Sequence, residues 1–433
     1  MGGRKTREPR GSGTGTPPNE VVGSPGNSPG DPPTPGISAI SSLMTPPQTP
    51  AEGARTPVPP PDGDRPVALL CTSNGVGLGH LTRQMAVGRF LAGTHDVVVF
   101  TLSPAAQLAM DAGFHVEYLR SHEYGTVGNR AWNGFYATRL EHLLDQYRPD
   151  VMSFDGGHPY AGLCAVLRHR KGLRSVWSRR GLWQPGKGYD AFSRSKLFTH
   201  VVEPGEYAAE MDRGLTAGGA DASLIAAPVS AVRPEDLRPA DEVRGELGLD
   251  PERPAVLMQL GAGQVNDTGS LSARVVASLR RRPEVQVVVT ESVLTRVPAE
   301  LPPDVVRLRH FPIGRYRAAF DASVMAAGYN SFQEAMALGL PTLFVPNQVT
   351  AKDDQDARTR WVEQTGCGLR WDDPGPDADP HLLAGLDGAV DRLLDPAEQD
   401  RMRDQMAELP AATGAEEIAA ALDGWSREPV DVG

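Results

Sequence analysis

The segment AAGYNSFQEAMALGLPTLFVPN, residues 326–347, is the most informative part of the chain for its predicted fold. A buried strand is expected to end at Ala327, and Gly328 then allows the sharp turn that leads into a helix. A second apolar run at residues 341–345 predicts the next strand. A strand, a glycine turn, a helix and another strand form the repeating unit of a parallel α/β sheet. Ligands of such sheets lie at the carboxyl ends of the strands, so this turn is a candidate binding site.

Glu334, in the helix that follows, has two interpretations. The spacing Ser331-x-x-Glu334 matches a capping box, in which the carboxylate accepts a hydrogen bond from an N–H group at the start of the helix. Alternatively, the helix N-terminus faces a diphosphate, and Glu334 accepts hydrogen bonds from two ribose hydroxyls. Glu334 by itself does not select a nucleotide base.

The alternation of apolar strands and helices continues on both sides of this stretch. Continuous apolar strands of this kind predict a parallel sheet that is covered on both faces. In the first half, strands are predicted at residues 66–72, 95–101, 115–118, 150–154, 174–177 and 199–203. In the second half, strands are predicted at residues 255–260, 285–290, 305–308, 323–326 and 341–345. The fold class is therefore α/β, with two Rossmann-like, doubly wound parallel-sheet domains that face a cleft.

The composition divides the chain into segments. Residues 1–65 hold 15 of the 39 prolines and no aromatic residue, so they cannot bury enough apolar surface to offset the entropy of folding. We predict, in chain order, a disordered tail over 1–65, an N-terminal domain over 66–225, an interdomain linker over 226–253, a C-terminal domain over 254–410, and a helix over 411–433 that crosses back to the first domain.

The charge and the cysteines exclude several classes of protein. With 43 Lys and Arg against 54 Asp and Glu, the net charge is −11, which argues against a nucleic-acid-binding protein. The sequence contains no run of 18 apolar residues, so no transmembrane helix is predicted. The basic residues near the N-terminus are not followed by the apolar segment of a secretory signal, so no such signal is predicted. Cys71, Cys164 and Cys367 are far apart, which indicates reduced thiols and a cytoplasmic protein.

Each half opens with a strand followed by a glycine-rich turn. The first turn reads Gly75-Val76-Gly77-Leu78-Gly79-His80, and the second reads Gly261-Ala262-Gly263-Gln264. Glycine lets the backbone approach an anion at a helix N-terminus. The first turn lacks the full spacing of a dinucleotide-binding fingerprint, the strand after it ends without an acidic residue, and the chain has no P-loop sequence. For each of the two glycine-rich turns, the alternative interpretation is a tight turn that binds no ligand.

His80 is the distinctive residue of the first turn. A histidine at the start of a helix can act as a general base, because its pKa is near neutral and the helix N-terminus favours its uncharged form. Asp155, predicted at the end of a strand, would hold its second ring nitrogen, and His158 is the competing base. The alternatives are a packed histidine at position 80 and a turn residue at position 155.

Taken together, these motifs resemble those of the GT-B glycosyltransferases. The likeness is greatest to glycosyltransferase family 28, which includes peptidoglycan N-acetylglucosaminyltransferases and plant lipid galactosyltransferases. It covers about residues 66–425 and rests on Gly328-Tyr329-Asn330-Ser331, Glu334, the Gly339-Leu340-Pro341 turn, Asp354-Gln355 and Gly77-Leu78-Gly79-His80. The resemblance implies that residues 66–225 bind the acceptor and that residues 254–410 bind a nucleotide sugar.

The resemblance also implies roles for individual residues. Donor binding is implied for Gly261, Ala262, Gly263, Phe311, Ile313, Gly328, Asn330, Ser331, Glu334, Asp354 and Gln355. Within this set, Glu334 would bind the ribose, Asp354 and Gln355 the sugar, and Phe311 and Ile313 the base. Gly77 and Gly79 would form the acceptor-side loop. The chain departs from the family at residues 261–263, where Gly-Gly-Ser-x-Gly is common, and at Tyr329, where Ser or Gly is common.

The implied reaction is an inverting, metal-independent transfer of a hexose or N-acetylhexosamine from a nucleotide diphosphate sugar, most simply a UDP-sugar, to an acceptor hydroxyl. No cofactor is implied. Asp353 and Asp354 are adjacent rather than spaced as D-x-D, so no metal site is assigned. Two other functions stay open: a sugar-nucleotide epimerase or hydrolase on the same fold, and a non-catalytic sugar-nucleotide-binding protein.

The acceptor is the least specified partner. Basic and aromatic residues mix over residues 177–196. Such a segment suits an anionic or lipid-linked acceptor, or it forms an ordinary solvated loop. Peripheral contact with the inner face of a membrane is the corresponding expectation for the location of the protein.

Overall fold

The computed structural model describes the chain from residue 58 onward. The described residues are 58–73, 77–125, 127–219, 221–261, 269–295, 298, 300–375 and 380–429, of which 380–384 are described by backbone alone. Most of the predicted tail therefore lies outside the described residues. So do two predicted donor-binding residues of the second glycine turn, Ala262 and Gly263.

The first half forms a seven-stranded parallel sheet with the order β3-β2-β1-β4-β5-β6-β7. Its strands are β1 (Val67–Thr72), β2 (Asp96–Thr101), β3 (His115–Tyr118), β4 (Val151–Asp155), β5 (Ser175–Ser178), β6 (His200–Gly205) and β7 (Leu224–Pro228). The helices between them are α1 (Gly79–Leu91), α2 (Ala106–Asp111), α3 (Asn129–Tyr147), α4 (Ala161–His169) and α5 (Tyr189–Phe192).

The second half forms a six-stranded parallel sheet with the order β10-β9-β8-β11-β12-β13. Its strands are β8 (Ala255–Gln259), β9 (Gln286–Thr290), β10 (Val305–Leu308), β11 (Ala322–Ala326), β12 (Thr342–Val345) and β13 (Leu369–Arg370). The helices are α6 (Ala240–Leu247), α7 (Gly269–Arg280), α8 (Tyr329–Ala337), α9 (Gln355–Thr365), α10 (Pro380–Leu394), α11 (Pro396–Ala407) and α12 (Gly414–Ser426). Short 3₁₀ helices span His122–Tyr124, Ser195–Leu197, Ala209–Met211, Ala217–Gly219, Pro234–Asp236 and Ile313–Ala319.

The strand β1 shows why the apolar runs are continuous. All six of its residues are buried. Leu69 and Cys71 point into the hydrophobic core on one face of the sheet. Ala68 and Leu70 point into the core on the other face. Because successive side chains of a strand alternate between faces, a strand covered on both sides is apolar at every position. The prediction of two doubly wound parallel sheets is confirmed.

The last helix returns to the first sheet. In α12, Ile418 and Leu422 are buried in the same core as Leu70 and Val87. An isolated antiparallel bridge between Val229 and Thr413 lies where the chain crosses back. Within the described residues, none of the helices is both long and apolar enough to span a bilayer.

Two features differ from the predicted segment boundaries. Strand β7 crosses the predicted boundary between residues 225 and 226, and it pairs with β6 as an edge strand of the first sheet. Its terminal Pro228 is tolerated because an edge strand needs few ladder hydrogen bonds. Residues 58–65, assigned to the tail, are described and contact the first sheet: the Val58 carbonyl lies 2.9 Å from His115 Nδ1. Asp155 is the last residue of β4, which agrees with its predicted place at the end of a strand and not with the alternative of a turn residue.

Candidate functional site

A cleft with a cavity volume of about 430 Å³ opens between the two sheets. Its lining includes the predicted site residues Gly77, Gly79, His80, Gly261, Phe311, Ile313, Gly328, Asn330, Ser331 and Glu334. They meet because β1 is hydrogen-bonded to β4 and β8 to β11, and the loops after such central strands leave the sheet at one edge. The predicted residues Asp155, His158, Asp354 and Gln355 lie outside this lining.

His80 and Asp155 are in direct contact. His80 is the second residue of α1, and its Nδ1 lies 2.6 Å from Asp155 Oδ1. Asp155 is paired in register with Thr72, and Ser178 Oγ donates to Asp155 Oδ2 at 3.0 Å. Asp155 therefore contacts the histidine ring at Nδ1. A carboxylate there favours the tautomer with the proton on Nδ1, which leaves Nε2 as an acceptor.

Arg83, which the sequence analysis did not select, completes this group one helical turn after His80. Its Nε donates to Asp155 Oδ2 at 3.0 Å, and its Nη2 donates to Asp155 Oδ1 at 2.5 Å. The same Nη2 lies 2.8 Å from His80 Nδ1. The spacing of three residues on one helix face was the available signal, since i and i+3 side chains are neighbours.

The protonation states suit a base. Burial lowers the pKa of His80 below its ordinary value, Arg83 and Arg180 act in the same direction, and Asp155 opposes them. Burial raises the pKa of Asp155, but the charge of Arg83 and the contact with His80 outweigh it and hold the pKa well below its ordinary value. His80 is thus an uncharged imidazole at neutral pH, held by an ionised carboxylate.

His158 has a different environment. Its Nε2 lies 3.6 Å from Asp190 Oδ2, and 46% of its side chain is exposed. It does not line the cleft, and it makes no described contact with Asp155. The geometry sets His80, and not His158, beside the carboxylate.

Asn330 joins the two halves at the cleft. Arg83 Nη1 donates to Asn330 Oδ1 at 3.1 Å, and Asn330 Nδ2 donates to the Gly79 carbonyl at 3.2 Å. Its amide, predicted to contact phosphate, is therefore engaged with the turn that carries His80. Ser331 lies at the same helix start, 3.3 Å from Gln259 Nε2.

Glu334 is not a helix cap, so the capping-box interpretation is wrong. Helix α8 begins at Tyr329, and its N-cap, Gly328, makes no side-chain capping bond. Glu334 instead points to the cleft, and its Oε1 is buried without a hydrogen-bond partner among the described residues. Burial raises the pKa of Glu334 to about 7. A buried carboxyl oxygen without a partner is costly, and ligand hydroxyls would supply the missing donors.

Asp354 and Gln355 have structural partners in this conformation. Asp354 caps α9, because its Oδ1 accepts from the Ala357 N–H at 2.9 Å. Gln355 Oε1 accepts from the Asn347 N–H at 3.0 Å, and the side chain is buried. Neither side chain lines the cleft in this conformation, so the donor-sugar contacts predicted for these two residues are not seen.

A buried network behind α8 was also missed. Arg358 donates to Glu206 Oε2 at 3.0 Å and lies 2.8 Å from Asp353 Oδ1, while Arg180 approaches the same Asp353 oxygen at 3.3 Å. Tyr329 donates to the Gly205 carbonyl at 2.8 Å. These partners are far apart in sequence, so no local pattern indicates them. Among the described residues, no group of three or more His, Cys, Asp or Glu side chains is placed to hold a metal ion.

Comparison with curated proteins gives a partial match. No protein-family model matches the chain. Over 274 residues, the chain is 30% identical to a rice protein described as probable monogalactosyldiacylglycerol synthase 2, chloroplastic, in both the indica and japonica subspecies. The match covers 55% of this chain and 52% of the rice protein. The chain thus spans about half the length of the curated relatives it matches.

Solved structures match over most of the described chain. Spinosyn rhamnosyltransferase SpnG, complexed with thymidine diphosphate, aligns with a TM-score of 0.56 and 17% identity, over 82% of this chain and 99% of its own. MurG of Acinetobacter baumannii aligns at 0.54 and 12%, over 83% and 100%. The calicheamicin glycosyltransferase CalG4 aligns at 0.54 and 18%, over 84% and 98%. Two facing Rossmann-like sheets and these alignments establish the GT-B fold for this chain.

Proposed function

We propose that the protein is a glycosyltransferase that moves a sugar from a nucleoside diphosphate to an acceptor hydroxyl. One observation carries the proposal: a single cleft has, on one wall, a buried carboxyl oxygen of Glu334 that has no partner in the described part of the chain and, on the other, His80 in contact with Asp155. The first suits the hydroxyls of a donor ribose, and the second suits an acceptor hydroxyl. The motifs and the rice relative further support a place in glycosyltransferase family 28.

The proposed donor is a pyrimidine nucleotide sugar, with UDP as the first candidate. Phe311 and Ile313 line the cleft near Glu334 and offer an apolar wall for a base. The printed description of SpnG names thymidine diphosphate, which is the same class of nucleotide. The start of α8 at Tyr329–Ser331 would face the diphosphate, where backbone N–H groups and the helix dipole favour negative charge.

The proposed step is a single displacement at the anomeric carbon. The acceptor oxygen forms a bond to that carbon, its proton moves to His80 Nε2, and the bond from the carbon to the diphosphate oxygen breaks. Attack from the face opposite the departing diphosphate inverts the configuration. Asp155 stabilises the imidazolium, and the N-terminus of α8 offsets the charge on the leaving diphosphate. The proposed step assigns no role to a metal ion. The rate of sugar transfer in the presence of EDTA tests this directly.

The experiment is a binding panel of UDP, dTDP, GDP, ADP and NAD, measured as shifts of the unfolding midpoint for the wild type and for Glu334→Ala. A ligand that binds the native state raises the midpoint by mass action. We expect UDP or dTDP to stabilise the wild type, and the variant to lose the effect. If no diphosphate nucleotide shifts the midpoint, or if NAD alone does, the proposal fails. Release of UDP from a UDP-sugar only when an alcohol is added separates transfer from hydrolysis, and proton NMR of the product reports the anomeric configuration.

A further inference from the structure

A second, smaller cavity of about 30 Å³ lies beside the cleft. His80 and Arg83 line it from one side, Gly157 and Arg180 from another, and Lys352 from the second half of the chain. A volume of this size holds about two water molecules, or two oxygens of a phosphate or carboxylate. Glu334 does not line it, so it is separate from the wall assigned to the donor ribose.

Backbone pairing holds Lys352 at this place. The Gln184 N–H donates to the Lys352 carbonyl at 2.7 Å, and the Asp354 N–H donates to the Leu182 carbonyl at 3.0 Å. The side chain then crosses the ring of Trp183, with Nζ 4.3 Å from the ring centroid, and donates to the Gly157 carbonyl. The ammonium group is therefore held in a defined position.

The cations at this cavity differ in whether a carboxylate pairs with them. Arg83 is paired with Asp155, and Arg358 is paired with Glu206. Asp353 is shared between Arg358, at 2.8 Å, and Arg180, at 3.3 Å. Lys352 has no ion pair with a carboxylate in the described part of the chain.

The positive charge without a carboxylate partner at this cavity is therefore that of Lys352. Asp353 also lines the cavity, and the neighbouring Arg179 is paired with both Glu203 and Asp221.

The charge of Lys352 is energetically unfavourable in the absence of a ligand. Burial, together with the charges of Arg180 and Arg179, lowers the pKa of Lys352 to about 8, while the charge of Asp190 acts in the opposite direction. Burial also lowers the pKa of Arg180, which is 24% exposed at the side chain. Cations that lie this close without a matching anion repel one another, and an anionic ligand group would remove the repulsion.

We propose that Arg180 and Lys352 form an anion subsite that binds a phosphate or carboxylate group of the acceptor. The inference rests on the proposed function, because it assigns a substrate class to the acceptor side of that site. The subsite adjoins His80, so an anion held there would place a neighbouring hydroxyl of the same molecule at the base. The anion would interact with two cations, one from each half of the chain.

The test uses inorganic phosphate as the probe, titrated by calorimetry into the full chain saturated with UDP. Saturation fills the donor diphosphate position, so any remaining phosphate binding reports a second site. The variants are Lys352→Gln and Arg180→Gln, with Lys352→Arg as the charge-preserving variant. Lys171→Gln is the matched control, since Lys171 is an exposed lysine outside both cavities. Unfolding midpoints show whether each variant is folded.

We expect the wild type and Lys171→Gln to bind phosphate equally, Lys352→Gln and Arg180→Gln to bind at least about tenfold more weakly, and Lys352→Arg to retain most of the affinity. Equal phosphate binding by all five proteins, or none, overturns the inference. A loss of UDP affinity in Lys352→Gln, with phosphate competing against UDP, assigns the subsite to the donor and overturns the acceptor assignment. If the wild type does not bind UDP, the proposed function fails, and the titration without UDP still decides whether phosphate binding depends on Lys352.

Discussion

The carboxyl group of Glu334 occupies the space that a side chain at position 314 would need. A Cβ atom built on Gly314 would lie 1.4 Å from Glu334 Oε1. Gly314 belongs to the 3₁₀ helix Ile313–Ala319, which begins at one of the two residues predicted to hold the base. The glycine therefore creates the space in which the buried carboxyl group is positioned toward the cleft.

The first prediction follows from this contact. Gly314→Ala should displace Glu334 and weaken UDP binding by at least about tenfold, because the carboxylate would no longer meet the ribose hydroxyls. Calorimetric titration with UDP measures the effect. Gly245→Ala is the matched control, since no atom lies within 4 Å of a Cβ there. Equal UDP affinities for both variants would show that the placement of Glu334 is irrelevant to the donor.

The second prediction concerns the stability of the ligand-free protein. Burial raises the pKa of Glu334 from 4.5 to about 7, so the folded state binds this proton more tightly than the unfolded state. The ionisation penalty is absent below about pH 4.5, grows between pH 4.5 and 7, and is constant above. Allowing for partial exposure, it reaches about 2 kcal/mol.

Urea unfolding of the wild type and of Glu334→Gln at pH 5 and pH 7.5 measures this penalty. The variant should gain in relative free energy of unfolding as the pH rises, because its amide does not ionise. A difference that stays constant between the two pH values would contradict the assigned protonation of Glu334.

The third prediction separates the two candidate bases. His80→Gln should lower the rate of sugar transfer by about 10²- to 10⁴-fold, since it removes the proton acceptor, and should leave UDP affinity within about twofold. His158→Gln should keep the transfer rate within a few fold, because His158 lies outside the cleft lining. Initial rates and UDP titrations of both variants show which histidine is the base. A larger loss in His158→Gln than in His80→Gln would reverse the assignment.

The fourth prediction concerns the pH profile. Because the pKa of His80 is lowered from 6.5, the transfer rate should rise with pH and reach half its plateau below pH 6.5.

Arg83 contributes to the lowering of the His80 pKa, so Arg83→Gln should move the midpoint of the pH profile to higher pH, and Arg83→Lys should keep the midpoint near the wild-type value. Arg83→Lys should still lose about 10- to 100-fold in kcat, since one ammonium cannot hold both Asp155 oxygens. An unchanged profile and kcat in both variants would remove Arg83 from the positioning of His80.

The fifth prediction concerns the connection between the halves. Tyr329 donates to the Gly205 carbonyl at 2.8 Å and accepts from the Val229 N–H at 3.1 Å. Tyr329→Phe should lower the free energy of unfolding by about 1–3 kcal/mol, because it leaves two buried backbone groups without partners. Tyr189→Phe, at a side chain 64% exposed, is the control and should change little. Equal stability of the two variants in urea unfolding would show that water replaces the hydroxyl.

Much of the fold could be predicted from the sequence because its signals are local. Strands β3 and β10 have the predicted bounds, and most other strands differ by one or two residues. A sheet covered on both faces needs apolar residues at every strand position, and this pattern is visible in the chain itself. Strand β7 was missed because its pairing with β6, and not its composition, makes it a strand.

The residues of the candidate site also separate into those that local sequence could predict and those that it could not. Glycine turns, His80 and Glu334 were identifiable, because a turn constrains its own residues and the order of a parallel sheet brings strand ends to one edge. The sequence alone could not distinguish a helix cap from a cleft carboxylate at Glu334. Only the start of α8 at Tyr329, and the lack of a partner for Oε1 among the residues that the structure describes, decided between them.

Local sequence patterns were enough to predict two parallel sheets, the cleft between them and the residues at the strand ends. Three contacts were visible only after folding: Arg83 holds Asp155 beside His80, Asn330 links the halves, and Lys352 lies beside Arg180. The physical reason is the range of the interactions. Secondary structure follows from neighbours along the chain, whereas charge balance and burial depend on residues that only folding brings together.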